Sequence, residues 1–317
     1  MSEPTFMVSV LIPVYNASAY LRQCLDSVVN QTYSHLQIVI IDDGSIDNSF
    51  VLCQEYTKLD TRVELYHQEN QGVATTRNNL LEKVRGDYVL FIDADDWVEL
   101  DMVESLVDLA KTHNADIVNC QNVINDSECN KNSIQVEIWN QDQSICQFLR
   151  HKIFNGALWN KLIRARLLDG LRFQPEISFG EDALFCWQVL PRTQKVARTS
   201  NQYYHYRMNS TSLSHSAWTP EKKGSNHIVW EQITNDTALL WPEYIDIAKV
   251  RAALEDMWAL YYAAQAGYEY NEHIYIRQRS VRENIWRILK SDIPSTNMKL
   301  YSTVASLSYW LLKYIHR

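Results

Sequence analysis

The chain has 317 residues, a formal net charge of −8, and a composition that is 46% hydrophobic and 21% charged. That length can bury one large core or two smaller ones, and eight Gly and seven Pro argue against long disordered tracts. The acidic balance disfavours nucleic acid as a partner, which would want a basic face.

The opening "MSEPTFMVSVLIP" lacks the basic and apolar regions of a secretory signal. "VSVLIPVY" (8–15) is a continuous apolar run, the pattern of a strand covered on both faces. "SAYLRQCLDSVVNQ" (18–31) places Leu21, Leu25, Val28 and Val29 at helical spacing, with Ser18 as the N-cap. "LQIVIIDDGS" (36–45) is a second buried strand, "NSFVLCQEYTKL" a helix and "RVELYHQ" a third strand. "GVATTRNNLLEKVRG" is a helix closed by Gly86. "DYVLFIDADD" is a fourth strand, followed by the helix "LDMVESLVDLAKTHN" and the strand "ADIVNCQ". Strands alternating with helices predict an α/β fold with a doubly wound, mainly parallel sheet. Such sheets bind ligands beyond the carboxyl ends of their strands, where Asp42, Asp43 and the acids at 93–96 would lie.

Residues 121–215 are mixed, and the last hundred are mostly helical, with clear periodicity at 248–267 and 281–291. The final stretch puts Leu300, Val304, Leu307, Leu311 and Ile315 on one face and carries Lys299, Lys313 and Arg317. Two readings of this tail stand. It lies on the cytoplasmic leaflet near a lipid-linked acceptor, or it packs on the helices at 248–291 or on a second subunit of a homo-oligomer. No run of about 18 apolar residues predicts a spanning helix. The six cysteines show no CxxC spacing and no His cluster near them. They are expected to be reduced, buried thiols of a cytoplasmic protein rather than a zinc site.

Asp93, Asp95 and Asp96 crowd three carboxylates at the end of an apolar run, which repulsion and desolvation make costly. A hard divalent ion with oxygen ligands, Mg²⁺ or Mn²⁺, explains such a cluster. A solvated turn or helix N-cap is the structural alternative. "IDDGS" adds a second acidic strand end, where Asp43 would bond a base or ribose, or simply form a turn beside Gly44.

"VSVLIPVYN", "QTYSHLQIVIIDDGSIDNS", "NQGVATTRNNLL" and "GDYVLFIDADDW" resemble, in order and spacing, the successive blocks of family 2 glycosyltransferases of the GT-A fold. The likeness weakens through "GALWNKLIRARLL", "FGEDALF" and "YYHYRMNSTS", and the last hundred residues carry no family motif. It implies a nucleotide-sugar-binding half at 1–120, an acceptor-binding half with the catalytic base at 121–215, and a helical region at 216–317.

The same resemblance implies an inverting, metal-dependent transferase. It would move a sugar, usually from a uridine diphosphate donor, onto a hydroxyl of a saccharide acceptor, as in bacterial surface-polysaccharide synthesis on lipid carriers. Pro13, Tyr15 and Asp43 would line the nucleoside pocket, and Asp93 would face the ribose or sugar. Asp95 and Asp96 would hold Mn²⁺ or Mg²⁺ against the diphosphate, with Asp95 also counted toward the donor. Arg77 would meet the nucleotide or donor sugar, where a planar guanidinium fits, and Arg207 the leaving diphosphate, with His205 or Ser212 assisting. Asp182 would be the general base, since an acceptor hydroxyl is a poor nucleophile until deprotonated. Glu181 beside it would position or bind the acceptor, and Trp159 would stack on a sugar. Each has a plainer role: Arg77 a surface ion pair, the Glu181–Asp182 pair a helix N-terminus, Trp159 and His205 packing.

Other classes stand against this reading. A phosphotransferase would reuse "DADD", but dehalogenase-type phosphatases want Thr or Val where Trp97 stands. Sugar nucleotidyltransferases share the sheet, but the first strand lacks their Gly-rich loop. A non-catalytic carbohydrate-binding protein has no use for acids kept in three separate segments.

Overall fold

A computed structural model describes residues 6–125, 127–130, 135–208, 219 and 224–315. The chain forms two compact units: Met1–Ser144, Ala157–Pro175 and Gln188–Met208 make the first, and Ile145–Gly156, Glu176–Trp187 and Asn209–Arg317 the second.

The first unit is built on one nine-stranded sheet. Its strands are β1 (Val8–Val14), β2 (Leu36–Asp43), β3 (Val63–Gln68), β4 (Tyr88–Phe91), β5 (Trp97–Val98), β6 (Ile117–Ile124), β7 (Val136–Asn140), β8 (Lys161–Arg164) and β9 (Lys195–Tyr206). The order is β3-β2-β1-β4-β8-β6-β9-β5, with β7 paired to β9. β3, β2, β1 and β4 run parallel, as the alternating sequence predicts. β8 then enters antiparallel, so the second half of the sheet is mixed. β1, β2 and β4 are buried along almost their whole length and mainly apolar, as expected of strands covered on both faces. α1 (Leu21–Val29), α2 (Ser49–Leu59), α3 (Val73–Leu81) and α4 (Met102–His113) supply that cover, with Leu21, Leu25, Val28, Met102, Leu106 and Val107 in the same core as Val10, Ile40 and Leu90.

Four local expectations change. The fourth strand stops at Phe91, and the acids sit in a turn closed by the Asp96 amide on the Asp93 carbonyl at 3.1 Å. Ser18 does not cap α1, which begins at Leu21; its amide instead donates to Asp47 Oδ2 at 3.0 Å. α3 ends at Leu81, so Gly86 is not its cap. A Cβ at 86 would lie 2.6 Å from the Ser9 nitrogen, so glycine is there to let the chain cross the start of β1.

The second unit is helical in its C-terminal part, with α7 (Asn226–Leu240), α8 (Ile245–Gln265), α9 (Glu272–Lys290) and α10 (Thr296–Leu307). Val250, Leu254, Met257 and Leu260 of α8 pack with Ile274, Val281 and Ile288 of α9. No described helix is long and apolar enough to cross a membrane. The predicted face of the tail is the fourth difference: Leu300, Leu307 and Leu311 are more than half exposed. The buried set is instead Tyr301, Ala305, Tyr309 and Leu312, and Ser308, extended, ends the helix before the 3₁₀ turn Trp310–Tyr314. Arg317 lies outside the described residues.

Candidate functional site

The carboxyl ends of β1, β2 and β4 gather the predicted residues of the first unit. After β1, half-buried Pro13 leads to Tyr15, which is 52% exposed. This loop is laced to the one after β2: the Asn16 amide donates to Ser45 Oγ, the Ile46 amide to Asn16 Oδ1, and the Ala17 amide to Ser49 Oγ. Partial burial opposes ionisation of Asp47, but hydrogen bonds from Ser49 and Ser18 outweigh it and hold the carboxyl down at about 2.

Asp43 is buried at the end of β2 and accepts from the Gln68 side chain at 2.8 Å and from the backbone amides of Gln71 and Gly72 at 2.9 Å. Its carboxylate thereby fixes the loop that opens α3. Gly44 turns with φ +70°, and a Cβ there would meet the Asn70 nitrogen at 2.8 Å. α3 carries Arg77, which is buried rather than at the surface. Its guanidinium lies 3.3 Å from Asp93 Oδ1 and over the Phe173 ring at 5.6 Å. Asp93 keeps 30% of its side chain exposed.

The acid turn is held from below by β9. Tyr204 is fully buried; its hydroxyl donates to Asp96 Oδ2 at 2.7 Å and accepts the Asp93 amide at 3.2 Å. The Arg207 amide donates to the other Asp96 oxygen at 2.7 Å. Asp96 is 1% exposed. Desolvation first, and then the charge of Asp93, push its carboxyl up to about 8 despite those two hydrogen bonds. Burial and the same acids also raise the Tyr204 phenol. The Arg207 side chain donates Nε to the Asp95 carbonyl at 2.8 Å and Nη2 to Gln23 at 2.6 Å. Its guanidinium lies over the rings of Tyr20 and Trp97, at 4.8 and 4.4 Å.

Three carboxylates in one turn, one of them driven toward its neutral form, make a donor set that a hard divalent cation would relieve. The residues therefore fit Mg²⁺ or Mn²⁺. Asp93 and Asp95 are part-exposed and accessible to such an ion, whereas Asp96 has both oxygens engaged by the protein.

Trp159, part-buried, stacks on Tyr204 at 4.5 Å and on Tyr206 at 5.7 Å. His205 is buried and stacked on Trp97. Ser212 lies outside the described residues. Tyr204 carries no sequence signal of this role: it stands in "YYHYR", beside His205 and Arg207, but its bond to Asp96 spans 108 positions. Tyr20, Gln23 and Phe173 carry none for the same reason.

Glu181 and Asp182 belong to the second unit, in the first turn of α6 (Glu181–Val189), and both are part-exposed. Gly180 precedes them with φ +90°, a turn that a side chain would strain. Gly156 lets its segment approach the helix start, since a Cβ there would lie 2.5 Å from the Ala183 Cα.

The family model "Glycosyl transferase family 2" matches residues 9–172, about half of the chain. Glycosyltransferase GlyA of Streptococcus pneumoniae is 34% identical over 225 residues, covering 67% of this chain and 32% of GlyA. Putative glycosyltransferase EpsH of Bacillus subtilis is 34% identical over 215 residues, 65% of this chain and 62% of EpsH. The chain thus spans about a third of the one and under two thirds of the other. The crystal structure of S. aureus TarS 1-349 in complex with UDP-GlcNAc superposes with a TM-score of 0.72 at 16% identity, over 97% of this chain and 90% of that one. That likeness shows the fold, an α/β GT-A architecture.

Proposed function

On the premise that the chain belongs to glycosyl transferase family 2, we propose that it transfers a sugar from a nucleoside diphosphate to a saccharide hydroxyl. The observation that carries the reading is the convergence of Asp43, Arg77, Asp93, Asp95 and Arg207 on the carboxyl edge of the parallel strands, where open α/β sheets bind ligands. A uridine diphosphate donor is supported by the UDP-GlcNAc bound to TarS, a protein of the same fold. The surface-polysaccharide setting rests on the resemblance alone.

In this proposal Pro13 and Tyr15 flank the nucleoside, and Asp43 acts by holding the 70–72 loop against it. Arg77, oriented by Asp93 and Phe173, faces the donor sugar or phosphate. Asp95 is the exposed ligand for Mn²⁺ or Mg²⁺, and Asp96 contributes its charge and remaining lone pairs from behind. Such an ion, when bound, supplies Lewis-acid stabilisation of the departing diphosphate. Arg207, held flat between Tyr20 and Trp97, places positive charge beside the same leaving group. Trp159, seated on Tyr204 and Tyr206, offers a platform for a sugar ring. Asp182 takes the proton from the acceptor hydroxyl, and Glu181 positions that hydroxyl. The oxygen attacks the anomeric carbon opposite the diphosphate, so the reaction inverts the centre in one displacement. We place the activity in the cytoplasm, where nucleotide sugars are available, with a lipid-linked acceptor and a peripheral or oligomeric contact through the C-terminal helices.

A panel of nucleotide sugars, assayed for nucleoside-diphosphate release with acceptor and with or without Mn²⁺ or Mg²⁺, tests the reading. Release of diphosphate from one donor with transfer to acceptor is expected. Release of inorganic phosphate would replace it with phosphatase chemistry, no turnover of any donor would leave a binding role, and metal-independent transfer would remove the metal role of the 93–96 turn.

A further inference from the structure

Beside the acid turn lies a cluster that this chemistry does not use. Glu99 follows β5, Cys129 lies in the stretch after β6, and His205 is on β9. A carboxylate oxygen, a thiol sulfur and a ring nitrogen from these three come within 4.8 Å of one another. The register of β5 on β9 sets Trp97 opposite His205, and the two rings stack at 4.7 Å with 10° between planes, which fixes the imidazole. No linear motif announces the group, because the thiol and the imidazole are 76 positions apart.

The two ring nitrogens have different surroundings. His205 Nδ1 lies 3.1 Å from the Asn125 carbonyl oxygen, which only accepts, so Nδ1 carries a proton. Nε2 lies 2.8 Å from Glu99 Oε1 and 3.4 Å from Cys129 Sγ. In a neutral ring that nitrogen is itself an acceptor, so a lone pair and a carboxylate face each other at hydrogen-bond distance. Either a second ring proton or a metal cation among the three atoms resolves the conflict, and the thiol facing the same nitrogen favours the metal. A ring N–H donated to a backbone carbonyl is also the bond that orients a metal-binding imidazole.

We propose that Glu99, Cys129 and His205 form a site for a transition metal of zinc's class, with water as a fourth ligand. The nitrogen, sulfur and oxygen donor set favours Zn²⁺ over the hard ions suited to the oxygen-only turn at 93–96. Ligand atoms around a tetrahedral Zn²⁺ lie roughly 3.3–3.8 Å apart, given bonds of about 2.0–2.3 Å. The 3.4 Å between Cys129 Sγ and His205 Nε2 already fits, and the 2.8 Å between Nε2 and Glu99 Oε1 would open by about half an ångström on binding. Glu99 keeps 32% of its side chain exposed, which leaves an entry path, while His205 keeps 8%. The metal would tie the stretch containing Cys129 to the end of β9, the strand that also presents Tyr204 and Arg207. The proposal is independent of the sugar chemistry.

The test uses the full, tag-free chain, stripped with chelator and titrated with Zn²⁺, with Mg²⁺ as the competitor. One equivalent of Zn²⁺ is expected, unaffected by excess Mg²⁺ and weakened roughly tenfold or more in Cys129→Ser and His205→Ala. Cys146→Ser should bind as the parent does. Co²⁺ should give a thiolate-to-metal absorption band that Cys129→Ser removes, and bound Zn²⁺ should shield Cys129 from alkylation in peptide maps. Should His205→Ala fail to fold, Glu99→Gln and the alkylation of the parent chain still decide the matter. Absence of stoichiometric Zn²⁺, or binding and alkylation indifferent to Cys129, would leave an imidazolium–Glu99 ion pair and overturn the site.

Discussion

The Tyr204 hydroxyl donates to Asp96 across 2.7 Å, and both side chains are buried. Two groups that burial makes reluctant to ionise thus share one proton-bearing bond beneath the acid turn. Tyr204→Phe should leave that oxygen of Asp96 unsatisfied and cost about 1–3 kcal/mol of stability. The affinity for Mn²⁺ should fall with it, since Asp96 would resist ionisation further. Chemical denaturation and Mn²⁺ titration of the variant check both effects; an unchanged midpoint would mean Asp96 finds another donor.

Arg77→Lys is not a mild change here. The lysine can keep a charge near Asp93, but it loses the planar fork and the stacking on Phe173. The donor KM should rise about tenfold, with kcat/KM falling at least as far, as measured by diphosphate release across donor concentrations.

Asp182→Asn keeps the shape of the α6 first turn and removes the proposed base. Transfer should drop by about 10²–10⁴-fold while donor binding, read by calorimetry with the nucleotide sugar, stays near the parent value. Full activity in this variant removes Asp182 from the role. Glu181→Gln should instead raise the acceptor KM.

The second unit carries a pH-sensitive pair. His227 Nδ1 lies 2.8 Å from the buried carboxylate of Asp256, and that hydrogen bond raises the imidazole above its ordinary 6.5, with burial working against it. A raised histidine contributes stability that is fully present below about pH 6.5 and is lost as the pH climbs through the folded value above it. Denaturation midpoints should therefore decline across that window. Asp256→Asn should flatten the decline and lower stability by about 1–3 kcal/mol, because it removes the acceptor that the His227 ring donates to.

Gly86→Ala would drive a methyl group into the backbone of Ser9 and Met7, at 2.6 and 2.8 Å. Backbone cannot yield as a side-chain tip can, so a loss of about 1–3 kcal/mol is expected in thermal or denaturant unfolding.

What was legible in the sequence follows from how local its cause is. "VSVLIPVY" and "LQIVIIDDGS" announce buried parallel strands because burial on both faces favours near-continuous apolar runs. The family blocks placed Asp43, Arg77 and the acid turn on one unit. The partners of those residues were hidden. That Arg77 is buried against Phe173, and that Asp96 rests on Tyr204 and the Arg207 amide, depends on chain segments about a hundred residues away, and no periodicity records such pairing. The tail differs in another way: two apolar faces at helical spacing lie side by side, and the structure buries Tyr301 and Ala305 rather than Leu300 and Leu307, while Ser308 ends the helix before Leu311.

The dependence of the acid turn on β9 also has a meaning for synthesis. Every motif that identifies the chain's first half has left the ribosome before Tyr204 and Arg207 exist. Until then Asp96 lacks the two donors it will bury against, and closing a loop of this length is a slow step. The turn should therefore be among the last parts of the first unit to consolidate. A fragment ending near residue 120 would carry the recognisable motif without the environment that makes it a site.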